Sequence, residues 1–180
     1  MSTLKVDNLQ NTSGSNLSRI IQHGQSIKTD TSSTANTSFT DISGLSVTLT
    51  PASTASKFYI DYNVNFAVPG SVYSGSVRLV KVVGGTTTDD FYVGDAAGNR
   101  VRTSNFTWST NASYSEFPMY MFSGSLIHSP STTSAVTFKL QFKSHYTNNF
   151  IVYVNRNPND TNSDNHGRAA SNLVVMELAA

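Results

Sequence analysis

The ten residues Lys57-Phe-Tyr-Ile-Asp-Tyr-Asn-Val-Asn-Phe66 alternate strictly, and that alternation constrains the fold more than any other feature of the chain. In an extended strand successive side chains point to opposite faces. Phe58, Ile60, Tyr62, Val64 and Phe66 therefore share one face, and Lys57, Tyr59, Asp61, Asn63 and Asn65 share the other. One face suits burial and the other suits water, the pattern of a half-buried antiparallel strand. Thr137-Phe-Lys-Leu-Gln-Phe-Lys143 repeats it, with Phe138, Leu140 and Phe142 predicted inward and Lys139, Gln141 and Lys143 outward. A sheet with one apolar face must be covered by a second layer.

Further strands are predicted near 26–31, 38–42, 45–50, 75–83, 88–94, 119–128, 149–155 and 171–178, divided by turn clusters such as Val68-Pro-Gly70, Gly84-Gly85 and Asn157-Pro158. About ten short strands with frequent turns predict a single all-β domain, an antiparallel β-sandwich. Only Asn16-Leu-Ser-Arg-Ile-Ile-Gln-His23 has helical spacing, with Asn16 as N-cap and Gly24 as stop, and it is too short to stand alone in water. Residues 1–24 read as an N-terminal attachment arm ordered only by docking on a partner, with Leu4, Val6 and Leu9 as apolar residues in the otherwise polar segment ahead of that helical stretch. Residues 25–180 read as the sandwich.

A chain of 180 residues with 38% apolar content supplies one substantial core. Twelve basic residues against eleven acidic ones give no electrostatic footprint for nucleic acid. The chain has no cysteine, hence no disulfide framework and no thiolate nucleophile or ligand. No run reaches the roughly 18 apolar residues of a membrane span, and residues 1–20 hold no apolar signal core. Assembly in a cytoplasm without membrane insertion is the expectation. The six Asn-x-Ser/Thr sequons read as a by-product of Asn/Ser/Thr-rich composition.

Catalytic signatures are missing, and no enzyme is predicted. There is no Gly-x-Ser-x-Gly, His-Glu-x-x-His or P-loop, and Gly94-Asp-Ala-Ala-Gly-Asn-Arg100 reads as a turn between β segments. Asp89 and Asp90 are adjacent on a strand, so they face opposite ways and cannot flank one glycosidic bond. His23, His128, His145 and His166 match no zinc spacing and read as surface or turn residues. Asp160-Thr-Asn-Ser-Asp164 imitates the start of a calcium loop, but Asn165 stands where glycine is needed and Ser171 where a bidentate Glu belongs. The segment 157–167 reads instead as a solvated loop held by its own Asx side chains. Neither metal nor cofactor is expected.

Binding is better supplied. Within 104–117, Trp108, Tyr114 and Phe106 sit among Ser, Thr and Asn, the mixture that stacks on sugar rings while hydrogen-bonding their hydroxyls. Trp108 could equally be an ordinary core aromatic beneath that loop. Arg100, Arg102, Arg156 and Arg168 lie near turns and are expected to bond loop carbonyls. Phe150-Ile-Val-Tyr-Val154 and Leu173-Val-Val-Met-Glu-Leu178 are apolar on both faces, so a cover is needed outside the core: a partner subunit or the chain's own arm. Phe150, Val152, Val154, Val174 and Met176 are the predicted oligomer contacts.

Four segments, Gly94–Arg100, Ser129–Phe142, Val152–Arg156 and Gly167–Leu178, together resemble the β-domain at the C-terminus of virion structural proteins of tailed bacteriophages, many from marine and cyanobacterial hosts. Residues 1–14, 42–51 and 56–60 are similar to the openings and first strands of the same proteins. The resemblance implies a jelly roll of the C1q/TNF type, assembled as a homotrimer and carried on the virion by its arm. A tail-fibre or tail-tip module touching host glycan is the role expected. A head-associated decoration or fibre protein, or a secreted carbohydrate-binding lectin, are the alternatives.

Overall fold

The computed structural model describes residues 19–70, 73–88, 91–109, 117–146 and 150–179. It holds eleven strands and, among the described residues, no helix. They are β1 (Ile20–Lys28), β2 (Ser32–Thr34), β3 (Thr40–Leu49), β4 (Lys57–Ala67), β5 (Tyr73–Val83), β6 (Thr86–Thr88), β7 (Asn105–Ser109), β8 (Tyr120–His128), β9 (Val136–Ser144), β10 (Val152–Val154) and β11 (Ser171–Leu178). In the first sheet β4 pairs with β8 along one side and with β11 and then β10 along the other, while β1 and β2 flank β11 and β10. In the second, β9 lies between β3 and β5, and β6 and β7 follow one another along the far side of β5. Three columns are thus each made of two collinear strands. Numbered along the chain, the columns run 1-8-3-6 in one sheet and 2-7-4-5 in the other, the order of a jelly-roll sandwich.

The alternation of residues 57–66 fills the space between the sheets. Phe58, Ile60, Tyr62, Val64 and Phe66 are fully buried and face Phe138, Leu140 and Phe142 across the interior. Two glycines are demanded by close approach. A Cβ on Gly75 would stand 2.7 Å from the Phe66 ring, and one on Gly124 would stand 2.7 Å from the Tyr62 hydroxyl. That hydroxyl donates to Asn105 Oδ1 at 2.7 Å, and burial raises its pKa well above the ordinary tyrosine value. Lys139, Gln141 and Lys143 do point outward, yet Gln141 is nearly covered because Asp41 and Arg78 bond its amide at 2.7 and 2.9 Å.

Each sheet is interrupted where its split columns break, and polar side chains close the gaps. Between β10 and β11 residues 155–170 leave the sheet, and the chain turns at Asn155, whose φ of +63° is a left-handed conformation that Asn tolerates. Its amide nitrogen donates to Lys28 O (2.8 Å) and Asp30 O (3.0 Å), and its Oδ1 accepts from Ser171 Oγ (2.5 Å). Asn155 therefore joins the β1/β2 gap to the β10/β11 gap at one level of the sheet. Between β6 and β7 the chain leaves again. There Ser104 Oγ accepts from Leu79 N (3.0 Å) and donates to Tyr92 O (2.6 Å), while Thr103 Oγ1 donates to Val77 O (2.7 Å).

Several sequence expectations change. Residues 20–23, given helical spacing, are extended in β1, because the edge of β11 offers a full ladder from Ile20↔Leu178 onward that a two-turn helix cannot match. Residues 20–24 accordingly belong to the sandwich and not to the arm. The segments 38–42 and 45–50 are one strand, β3, bulged between Asp41 and Ser46 around Gly44 at φ +83°. Of the strand expected over 88–94 only Thr88 is extended among the described residues, and Phe91 and Tyr92 pack at the core edge, where Phe91 meets His128 at 4.7 Å and Tyr92 meets Tyr62 at 6.3 Å. Val152 and Val154, expected at an oligomer contact, are 1% and 0% exposed in the core. Strand parity puts Tyr153 outside in their place.

Candidate functional site

The outer face of the second sheet gathers aromatic and cationic side chains. Phe106 and Trp108 alternate outward on β7, 49% and 51% exposed, so Trp108 is a surface residue and not core. The surrounding 104–117 is not simply a loop, since Asn105–Ser109 is an edge strand paired to β5. Tyr114 lies outside the described residues. Beside Phe106 stands the His145 ring, with centroids 5.4 Å apart, and His145 Nε2 bonds Ser76 Oγ at 2.6 Å. Burial and then the Lys143 charge push the His145 pKa down to about 4, so the ring is neutral at neutral pH.

The excursion 94–103 folds across this face. Arg102 Nε donates to Gly94 O (2.8 Å), Arg100 Nη1 to Ala97 O (3.2 Å), and Gly94 N to Thr103 O (3.3 Å), which shapes the segment as a tight flap. Two grooves share Val101 of this flap and Lys143 of β9 in their linings. One, about 720 Å³, is lined by Arg100, Phe106, Lys143, His145 and Tyr146 together with Ser74; the other, about 520 Å³, by Phe39, Arg78, Arg102 and Lys143. Neither lining includes a carboxylate among the described residues. Burial and then Arg78 hold the Lys143 ammonium below the ordinary lysine range. Both Lys143 and Arg78 lie over the Phe39 ring, at 5.5 and 4.0 Å. The sequence placed Lys143 outward on β9 but read His145 as a surface or turn residue; the flap that makes one groove of them comes from a segment some forty residues away in sequence.

The loop 155–170 is organised by charge. Asp160 accepts from Arg168 Nη2 at 2.6 Å and Arg156 Nη1 at 3.1 Å, and the Arg156 guanidinium also lies 4.1 Å from the Tyr153 ring centroid. Both arginines were expected on loop carbonyls and instead hold this carboxylate, whereas Arg100 and Arg102 do bond carbonyls. With each Asp160 oxygen taken by a cation, the leading ligand of the calcium-like stretch is already neutralised. No group of three or more acidic or histidine ligands occurs among the described residues. Asx bonding within the loop is present: Asn157 accepts from Gly167 N at 2.6 Å and donates to Phe117 O, and Thr161 donates to Asn159 at 2.8 Å.

The outer face of the first sheet has a different chemistry. Register places His23, Met176, Tyr59 and Ile127 in one row across four strands, with Val174 beside it. Ile27, Met121 and Ile127, at 61%, 68% and 61%, are among the most exposed large apolar residues described. Val174 and Met176 face this way as half-buried members of β11. Phe150 lies before β10 and packs edge-on against Tyr146 at 6.1 Å. Leu4, Val6 and Leu9 of the arm, and Asp89 with Asp90, lie outside the described residues.

No family model matches the chain, and no curated protein matches it. Among solved structures it is similar to that of infectious bursal disease virus, Gx strain, at 9% identity and a TM-score of 0.40, over 97% of this chain and 44% of the other. The VP2 subviral particle of infectious bursal disease virus is similar at 7% identity and a TM-score of 0.39, with the same coverage. This chain therefore spans less than half the length of either.

Proposed function

We propose that this chain is a non-enzymatic structural subunit of a virus particle: a trimeric tail-fibre or tail-tip module of a tailed bacteriophage, assembled in the host cytoplasm and touching the host surface. The observation that carries the reading is the row His23, Met176, Tyr59 and Ile127 on the outer face of the first sheet, half-exposed to exposed among the described residues. Jelly rolls of the C1q/TNF type, which the sequence resembles, pack three protomers through one sheet, and this sheet has apolar side chains to offer. The second sheet then remains outward with Phe106 and Trp108 available to a host glycan. Residues 1–18, with Leu4, Val6 and Leu9, would join the module to other virion proteins.

Sedimentation of the full chain tests the assembly: a trimer is expected, and a stable folded monomer at micromolar concentration would overturn it. A chain beginning at Arg19 keeps β1 whole and is expected to fold while failing to join particles. Imaging of particles carrying a labelled chain is expected to show the label on the tail. Label on the head would replace the tail assignment with a decoration role.

A further inference from the structure

We propose that the groove between the 94–103 flap and β7 binds an acidic saccharide, a sugar ring carrying a carboxylate or a sulfate. The inference rests on the host-contact reading and narrows it to one ligand chemistry and one place. Three observations converge on the groove. It is about 720 Å³, the size of a small-ligand cleft. Its wall includes Phe106, half exposed, with Trp108 one strand repeat further along the same face; aromatic faces of this kind stack on the apolar side of a sugar ring. Opposite stand Arg100 and Lys143, with no carboxylate among the described lining residues.

The charge pattern gives the sign of the ligand. Lys143 is held below the ordinary lysine range by burial and by Arg78, and its own charge depresses His145. An anion beside Lys143 would relieve both effects, whereas a cation would worsen them. A neutral sugar would gain the stacking but leave Lys143 as it is. Asn99 in the same lining supplies an exposed amide for ring hydroxyls, and the Thr103 hydroxyl, its proton directed at Val77 O, keeps a lone pair to accept. The geometry favours a saccharide over a bare phosphate, because a phosphate would make no use of the aromatic wall.

Titration of the full chain with three oligosaccharides of equal length, an oligogalacturonate, a dextran sulfate and a neutral dextran, tests the proposal by calorimetry. At least one acidic ligand is expected to bind about tenfold more tightly than the neutral one, with affinity falling as salt rises. Preference between the two acidic ligands identifies carboxylate or sulfate as the source. Lys143→Met is expected to remove that tenfold advantage, and Phe106→Ala to weaken acidic and neutral ligands alike. Arg100→Gln, at an exposed loop position, covers the case in which Lys143→Met fails to fold, and it is expected to lower acidic affinity several-fold. Equal binding of neutral and acidic ligands, or an unchanged affinity in a folded Lys143→Met or Arg100→Gln protein, would overturn the site. The host-contact reading fails separately: if the chain binds the acidic ligand but excess free ligand leaves particle adsorption unchanged, the site stands and the role does not. If no oligosaccharide binds but Trp108→Ala lowers adsorption, the role stands and the site does not.

Discussion

In each sheet of the sandwich a long excursion of the chain interrupts the strands, but the excursions lie in different places and leave different outer faces behind. In the first sheet residues 155–170 are held by Asn155 within the sheet and by the Arg156–Asp160–Arg168 cluster beyond it, and among the described residues no excursion crosses the row Met176–Tyr59–Ile127. In the second sheet the 94–103 flap lies across the outer face itself, dividing it into grooves lined with Arg78, Arg100, Arg102 and Lys143. One rule of alternation operates on both sheets. An undivided row with apolar side chains can meet another protein surface broadly, and a divided cationic face can hold only something small or slender. Where a loop lands thus decides what a face can bind as much as which residues alternate onto it.

The comparison breaks first at the apolar row. If that row is an assembly contact, Met176→Glu places an unpaired carboxylate in it, a cost of about 3–5 kcal/mol to association. The trimer is expected to fall apart to monomer on sedimentation. Met176 points away from the core, so the protomer itself should keep its thermal midpoint. The matching substitution on the other face, Lys143→Glu, is expected to leave oligomer size unchanged; a monomer from it would put the contact on the wrong sheet.

Next in size are the two residues that close the gaps. Asn155→Ala orphans Lys28 O, Asp30 O and one Ser171 interaction, and it leaves alanine at a φ of +63°. A loss of about 2–4 kcal/mol on chemical denaturation is expected. Asn155→Gly restores the backbone freedom without the bonds and should fall between the two proteins. Ser104→Ala leaves Leu79 N without its acceptor and should cost about 1–2 kcal/mol. Equal losses at the two positions would mean that the gaps are closed with similar strength and that the buried Asn is no stronger a staple than Ser104.

Much of this was legible in the sequence, because strand parity is a local rule. Residues 57–66 and 137–143 disclosed both inner faces of the core and the outward direction of Lys143. Parity failed where a segment was apolar on both sides: Phe150-Ile-Val-Tyr-Val154 gave no sign that Val152 and Val154 face inward, since that depends on which neighbour the strand joins. Position 155 reads as the end of the predicted strand 149–155, and its role as a staple shows only when the β1/β2 gap is seen beside it. Trp108 was balanced between core and surface for a similar reason, because its exposure follows from the edge position of β7, a property of topology and not of its neighbours in sequence.

Acid should weaken the fold through two histidines before it reaches the carboxylates. His128 accepts the Lys81 ammonium at 2.9 Å, and burial followed by the Lys81 charge lowers its pKa to about 4; His145 is lowered to about 4 as well. Unfolded histidine takes up its proton near 6.5. Between about pH 6.5 and 4 the unfolded chain therefore binds more protons than the folded one, and stability falls as pH falls through that window. Asp41 and Glu177 have lowered values too: burial opposes their ionisation, but hydrogen bonds from Lys139 and Gln141, and from Ser56, Gln22 and the Ala52 amide, outweigh it. They add a loss of the same sign further into acid. Denaturation midpoints measured from pH 7 to pH 4 should decline, and His128→Gln with His145→Gln together should flatten the first part of that decline. An unchanged slope in the double variant would show that neither ring is neutral in the folded state.

The smallest expected effect on the fold, and the sharpest separation of the two faces, belongs to Trp108→Ala. A side chain half exposed at a sheet edge contributes little burial, so the midpoint of unfolding should move by no more than about 0.5 kcal/mol, and the trimer should be unchanged on sedimentation. On the proposed trimeric host-contact role, adsorption to host cells should nevertheless drop, because weak sites present in three copies multiply any loss through avidity. Met176→Glu predicts the converse order of events, with assembly lost first and adsorption lost only as its consequence. A particle carrying Trp108→Ala that adsorbs normally would remove the second sheet from host contact and leave its aromatic edge as surface without a role. A large loss of stability in the same variant would instead show that Trp108 supports β7, and the exposed edge would then belong to the fold and not to binding.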